Sequence, residues 1–159
     1  MDVKINAEEG KFKYRVSGAV IKDGKLLVVK IAQNQFYCLP GGHIHLGESS
    51  LEAIHREIKE EVGITCKSTK LISITENFFN VEKRYMHEVN YFYVVEPNED
   101  IETKDYEIIE NDNGEMVPLK FKWVELAKLH TIDFRPEKLI TKFESQNFEL
   151  EHIIFDQRK

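Results

Sequence analysis

The chain has 159 residues, 22 Lys and Arg against 28 Asp and Glu, and a formal net charge of −6. Hydrophobic residues at 42% and charged residues at 31% suffice for one packed core, which excludes a disordered or fibrous chain. The mild acidity argues against a general nucleic-acid binder, which carries a basic excess. A nucleotide substrate stays open, because one divalent cation can reverse the local field.

In chain order, Phe12 to Ile21 alternates like a strand, Asp23-Gly24 punctuates, and Lys25 to Ile31 reads as the second arm of a hairpin. Phe36 to Leu39 is a short apolar run ended by Pro40-Gly41-Gly42. From Ser49 to Val62 the period turns helical, with Leu51, Ile54, Ile58 and Val62 on one apolar stripe expected to face a core. Ser49 with Glu52 fits a capping box and Gly63 a helix stop. Leu71 to Thr75 and Val89 to Val95 read as strands. Residues 96–115, with nine acidic residues and one Lys, read as a solvated loop. Phe121 to Val124 is a further strand, followed by a short helix near Glu125 to Leu129. Pro136 suits the first turn of a helix running to about Phe143, and His152 to Phe155 a last edge strand. Trp123 is expected to pack the late helix against the sheet. The pattern predicts one mixed α/β (α+β) domain over residues 1–159. Cys38 and Cys66 read as reduced thiols. With no apolar leader and no run of roughly 20 apolar residues, a cytoplasmic protein is expected.

The chemistry concentrates between Gly42 and Ile64. On a helix Glu57, Glu60 and Glu61 stand at i, i+3 and i+4, so three carboxylates share a face, with Ala53 leaving space one turn before. Such crowding costs stability unless a cation relieves it, and oxygen ligands without cysteine suit magnesium or manganese. Gly41 and Gly42 let backbone approach that face, and Arg56 can pair with Glu48 or Glu52 to fix the loop.

Gly42, five residues, Glu48, seven residues, and Arg56-Glu57-Ile58-Lys59-Glu60-Glu61-Val62-Gly63-Ile64 resemble the box of the Nudix hydrolases at every specified position. The resemblance implies an α/β/α sandwich around a mixed sheet. It also implies magnesium- or manganese-dependent hydrolysis of a nucleoside diphosphate linked to another group. Glu57, Glu60 and Glu61 match the metal and catalytic carboxylates, the Gly41 carbonyl a further ligand, and Gly42, Glu48 and Arg56 the structural support. A further acidic ligand can come from a loop before a late strand, for which Glu115, then Glu110, are the candidates. The expected partner is a small nucleotide diphosphate substrate, with neither DNA nor membrane, for a monomer or homodimer.

Outside the box the residues say less. Phe78 could stack a base, as could Phe79, though aromatics near strands are more often core. Arg84 and Tyr85 could touch phosphate or base from a loop, and Glu88 could line the pocket or form a cross-strand salt bridge. His43 and His45 alternate and could share a face and bind metal, but they occupy variable positions of the box, where an idle residue, or next a substrate contact, is the better reading. Phe78, Phe79 and Asn80 stand where adenosine-diphosphate-ribose and dinucleoside-polyphosphate members carry Pro or Tyr markers. The Arg-rich lead of coenzyme A members is missing too. Elimination leaves a small nucleotide such as a nucleoside triphosphate. The alternative is a Nudix-like module that binds a nucleotide without cleaving it.

Overall fold

A computed structural model of the chain describes residues 1–112 and 114–158. Strands β1 (Lys4–Asn6), β2 (Gly10–Lys22), β3 (Lys25–Ile31) and β4 (Gly41–His43) precede helix α1 (Ser50–Val62). Strands β5 (Cys66–Val81), β6 (Arg84–Pro97), β7 (Tyr106–Asp112) and β8 (Glu115–Glu125) follow. Two 3-10 turns (Leu126–Thr131 and Glu137–Leu139), α2 (Ile140–Ser145) and β9 (Glu151–Asp156) close the chain.

The strands run β7-β8-β3-β2-β6-β5-β9, with β1 and β4 both on β2. Two contacts are parallel, β2 with β6 and β5 with β9, so the sheet is mixed as expected. Asp23 and Gly24 both take positive φ, +52° and +70°, the geometry of a two-residue hairpin turn whose twist matches its strands. Yet β2 and β3 pair only at Ile21–Leu26 and Lys22–Lys25 before parting. Beyond that point β2 follows β6 while β3 follows β8. β4 takes the freed edge of β2, and Cys38 bridges to Val29 of β3.

Alternation along β2 and β3 feeds two cores. Val16, Val20, Leu27 and Val29 pack with Ala53, Ile54 and Ile58 of α1. Ala19, Leu26 and Val28 pack with Leu126, Leu129, Leu139 and Phe143 from the late helical segments. Neighbouring strand residues face opposite ways, so helices cover both faces of the sheet.

Several expectations change. Leu51 is exposed, whereas Glu57 and Glu61 are buried, so α1 turns its Ala53–Ile54–Glu57–Ile58–Glu61 arc inward. The acidic stretch is only partly loop: Tyr106 and Ile108 pack on the core while charged neighbours point away, which makes strand β7. β5 and β6 extend well past the expected limits to form one long hairpin. The helix after Pro136 starts as a 3-10 turn and becomes α only at Ile140. Trp123 joins the core on the α1 side, opposite the late helices. The capping box of Ser49 and Glu52, the left-handed Gly63 stop and the edge strand β9 stand where the sequence puts them. Cys38 and Cys66 are free thiols. Among the described residues no helix is long and apolar enough to cross a membrane.

Candidate active site

The caps of α1 fix where its carboxylates stand, and the Leu39–Gly42 turn lies against them. The Gly41 N–H donates to Glu61 Oε2 at 3.3 Å. A Cβ on Gly41 would run into the Val16 carbonyl, and one on Gly42 into the Glu57 carboxylate. Only glycine allows backbone this close to β2 at 41 and to the helix carboxylate at 42.

Arg56 ties the parts together. Its Nε and Nη2 donate to the two oxygens of Glu48 at 2.7 and 2.9 Å, and Nη2 also reaches the His43 carbonyl at 3.0 Å. Its Nη1 donates to Glu57 at 2.7 Å and to Glu60 at 3.3 Å. Glu48 also accepts the His45 N–H at 2.9 Å, and the Arg56 guanidinium holds its carboxyl down at about 2. Glu52 caps the helix and leaves Arg56 to Glu48.

Where β2 and β3 part, a cleft of about 530 Å³ opens. Glu57, Glu60, Glu61, Gly41 and Gly42 form one wall, Glu110, Asn111 and Asp112 of β7 another, and Lys13 and Arg15 of β2 a third. Asp2, His43 and His45 stand at its rim, over apolar side chains from β3 and β8. Glu57 and Glu61 are only 7% and 9% exposed. Burial, then the nearby charges of Glu57 and Glu110, push the Glu61 carboxyl up to about 8. Glu57 is also raised by burial despite Arg56, and burial raises Glu110. Burial, then the Arg15 charge, lowers His43 to about 4.

Glu57, Glu60 and Glu61, hard oxygen donors on one helix, fit magnesium or manganese in charge and in donor type. As the side chains lie, no three acidic, His or Cys groups among the described residues converge on one ion position. Arg56 holds Glu57 and Glu60, and the Gly41 amide holds Glu61.

Of the residues singled out in the sequence, Gly41, Gly42, Arg56, Glu57, Glu60, Glu61 and Glu110 line this cleft, as do His43 and His45, both facing Asp2. Glu48 is tied to it through Arg56. Glu115 does not line it: this residue sits across from Asp112 on β8 and is exposed. Phe78, Arg84 and Tyr85 lie towards the far end of the β5–β6 hairpin. There Phe78 stacks between His87 and Arg158, Arg84 bonds Asn6 and the Ala7 carbonyl, and Tyr85 is exposed. Glu88 stands 4.0 Å from Arg15, the cross-strand pair. Sequence reading missed Lys13 and Arg15. Their signal was the alternation of Lys11, Lys13 and Arg15 with Phe12, Tyr14 and Val16, a cationic face on a core strand.

Fold and site together define a carboxylate-lined cleft on a mixed sheet, and residues 12–143 match the NUDIX domain. The chain belongs to the Nudix family. An ADP-ribose pyrophosphatase of Methanocaldococcus jannaschii is 42% identical over 62 residues, 37% of this chain and 37% of that protein. The match to that relative thus covers little more than a third of its length. A probable DHNTP pyrophosphohydrolase of Lactococcus lactis is 29% identical over 131 residues, 79% of this chain and 69% of that protein. In fold, the chain resembles a MutT protein from Bacillus halodurans with a TM-score of 0.61 at 18% identity, covering 91% of this chain and 90% of that one.

Proposed function

We infer that this protein is a metal-dependent pyrophosphohydrolase, cleaving a diphosphate bond in a nucleoside triphosphate or related small nucleotide. The observation that carries the reading is Glu61: nine-tenths buried, facing Glu57 and Glu110, and raised to about 8. A buried carboxyl kept that close to neutrality, among other carboxylates in an open cleft, suits metal binding and proton transfer far better than fold support. Relatives whose names contain pyrophosphatase and pyrophosphohydrolase support the reaction class.

In this reading Glu57, Glu60 and Glu61 hold the cation beside the Gly41 backbone, and Arg56 with Glu48 keeps the loop and helix in register. The chemistry supplied when magnesium or manganese is bound is Lewis acidity toward water and phosphate oxygen. One of the three carboxylates takes the proton of the attacking water as a new P–O bond forms. The bridging P–O bond breaks, and the leaving phosphate carries away its electron pair. Glu110, which the sequence offered after Glu115 as a further acidic ligand, adds negative charge at the far wall.

The test is a panel of nucleotide diphosphate derivatives incubated with the protein and millimolar magnesium or manganese, products being identified by mass. Two phosphate-bearing products from one substrate, absent with a chelator, are expected. Tight binding without products would make the protein a nucleotide-binding module and overturn the reading.

A further inference from the structure

Beside the carboxylates the cleft carries Lys13, Arg15 and His43, and two polar atoms of this set are unsatisfied. Lys13 and Arg15 alternate along β2 and so share one face. His43 is the register partner of Arg15 across the β2–β4 ladder, which puts it on that same face. All three line the cleft. The Nε of Arg15 and the Nε2 of His43 are buried without a hydrogen-bond partner among the described residues. Arg15 Nη1 stands 4.0 Å from the Glu88 carboxylate, a stretched ion pair. Burying such groups unpaired is costly, and an anionic oxygen brought to them would relieve the cost.

We propose that Lys13, Arg15 and His43 form the seat of a terminal phosphate, so that the enzyme selects nucleotides ending in a free phosphate over diphosphates esterified at both ends. This rests on the hydrolytic reading of the cleft given above. A diphosphate linking two groups has no charge beyond what the metal site already neutralises. A terminal phosphate brings roughly 1.5 to 2 further negative charges near neutral pH. A planar guanidinium matches phosphate oxygens in pairs, and a flexible lysine beside it adds a point charge. No Phe, Tyr or Trp lines the cleft among the described residues, so recognition there falls to the phosphate chain rather than to a stacked base.

The experiment compares kcat and KM for a set of nucleoside triphosphates and for ADP-ribose, with millimolar manganese, in wild type, Arg15→Gln and Arg15→Lys. Wild type is expected to favour a triphosphate. Arg15→Gln should lower the ratio of kcat/KM values, triphosphate over ADP-ribose, roughly tenfold to a hundredfold, mainly through KM, with Arg15→Lys recovering part of it. In parallel, metal-free inorganic triphosphate should raise the melting temperature of wild type more than that of Arg15→Gln. Preference of wild type for ADP-ribose, or equal loss on both substrates in Arg15→Gln, would overturn the seat while hydrolysis stood. If wild type cleaves nothing, the hydrolytic reading falls, and the melting shift alone decides the seat: lost in Arg15→Gln it is upheld, absent in wild type it is refuted.

Discussion

Glu61 carries an electrostatic cost that folding imposes on it. Its carboxyl is raised to about 8, against 4.5 for an ordinary glutamate, so the folded chain keeps a proton that the unfolded chain releases. The native state binds more protons across that window, and metal-free stability therefore falls as pH rises from about 4.5 to 8. Glu61→Gln removes the ionisation, and in chelator its melting temperature should exceed that of wild type at pH 8 and converge with it near pH 5. A variant that melts lower at pH 8 would contradict this. With manganese, the same variant should lose turnover by orders of magnitude, whereas Glu52→Gln, which alters only the exposed helix cap, should stay near wild type. The box carboxylates were legible because one helix sets their spacing. Lys13 and Arg15 were not, because strand alternation shows that they share a face but leaves open which wall they join. Glu115, offered first as a further acidic ligand, lies outside the cleft while Glu110 lines it, for a similar reason: only the β7–β8 pairing shows which of them turns to the cleft.

The helix and its glycine turn form the next unit of argument. Both ends of α1 were written in local signals, Ser49 and Glu52 at one end and Gly63 at the other. Its inward arc was harder to read, since periodicity favours Leu51 over a glutamate. Here the close approach of Gly41 and Gly42 gives two glutamates a partly polar burial. The two glycines differ in what an added methyl meets. Gly41→Ala drives a Cβ into the fixed backbone of Val16 and should destabilise the protein by at least the roughly 1–3 kcal/mol of an overpacked core. Gly42→Ala meets the Glu57 carboxylate, a side-chain end that can shift by giving up its contact with Arg56, so the fold should survive while turnover falls at least about tenfold through a displaced carboxylate. Circular dichroism melts and turnover on both variants check this, and a Gly41→Ala protein as stable as wild type would refute the packing argument.

At the scale of the molecule, the mixed sheet with helices on both faces follows the family resemblance, and the hairpin, α1 and β9 follow local pattern. Strand β7 escaped because its acidic residues dominate composition, while Tyr106 and Ile108 show their alternation only once β8 lies beside them. Trp123 likewise joins the α1 side because the register of β8, rather than nearness in sequence to the late helices, sets its face. A cation that binds only the folded cleft should raise the melting temperature with concentration, by about 2.7 kcal/mol of stability at a hundredfold excess over its dissociation constant. Titration of manganese or magnesium against thermal melts measures this, and Glu61→Gln should blunt the rise. Melting indifferent to millimolar metal in wild type would remove the 57/60/61 face as the metal site.

The pairing of β2 with β6 also sets an order in time. Ser17 bonds Asn90, 73 positions further along the chain, and the whole β2–β6 ladder closes over a comparable span. During synthesis α1 emerges with its glutamates in water well before β6 exists to hold β2, and β7 emerges later still. Local pieces such as α1 and the β5–β6 hairpin form quickly, and ladders of long separation form slowly. The acidic helix is thus synthesised before its cleft can exist, and its carboxyls are raised only once β2 has paired with β6 and β7 has joined β8.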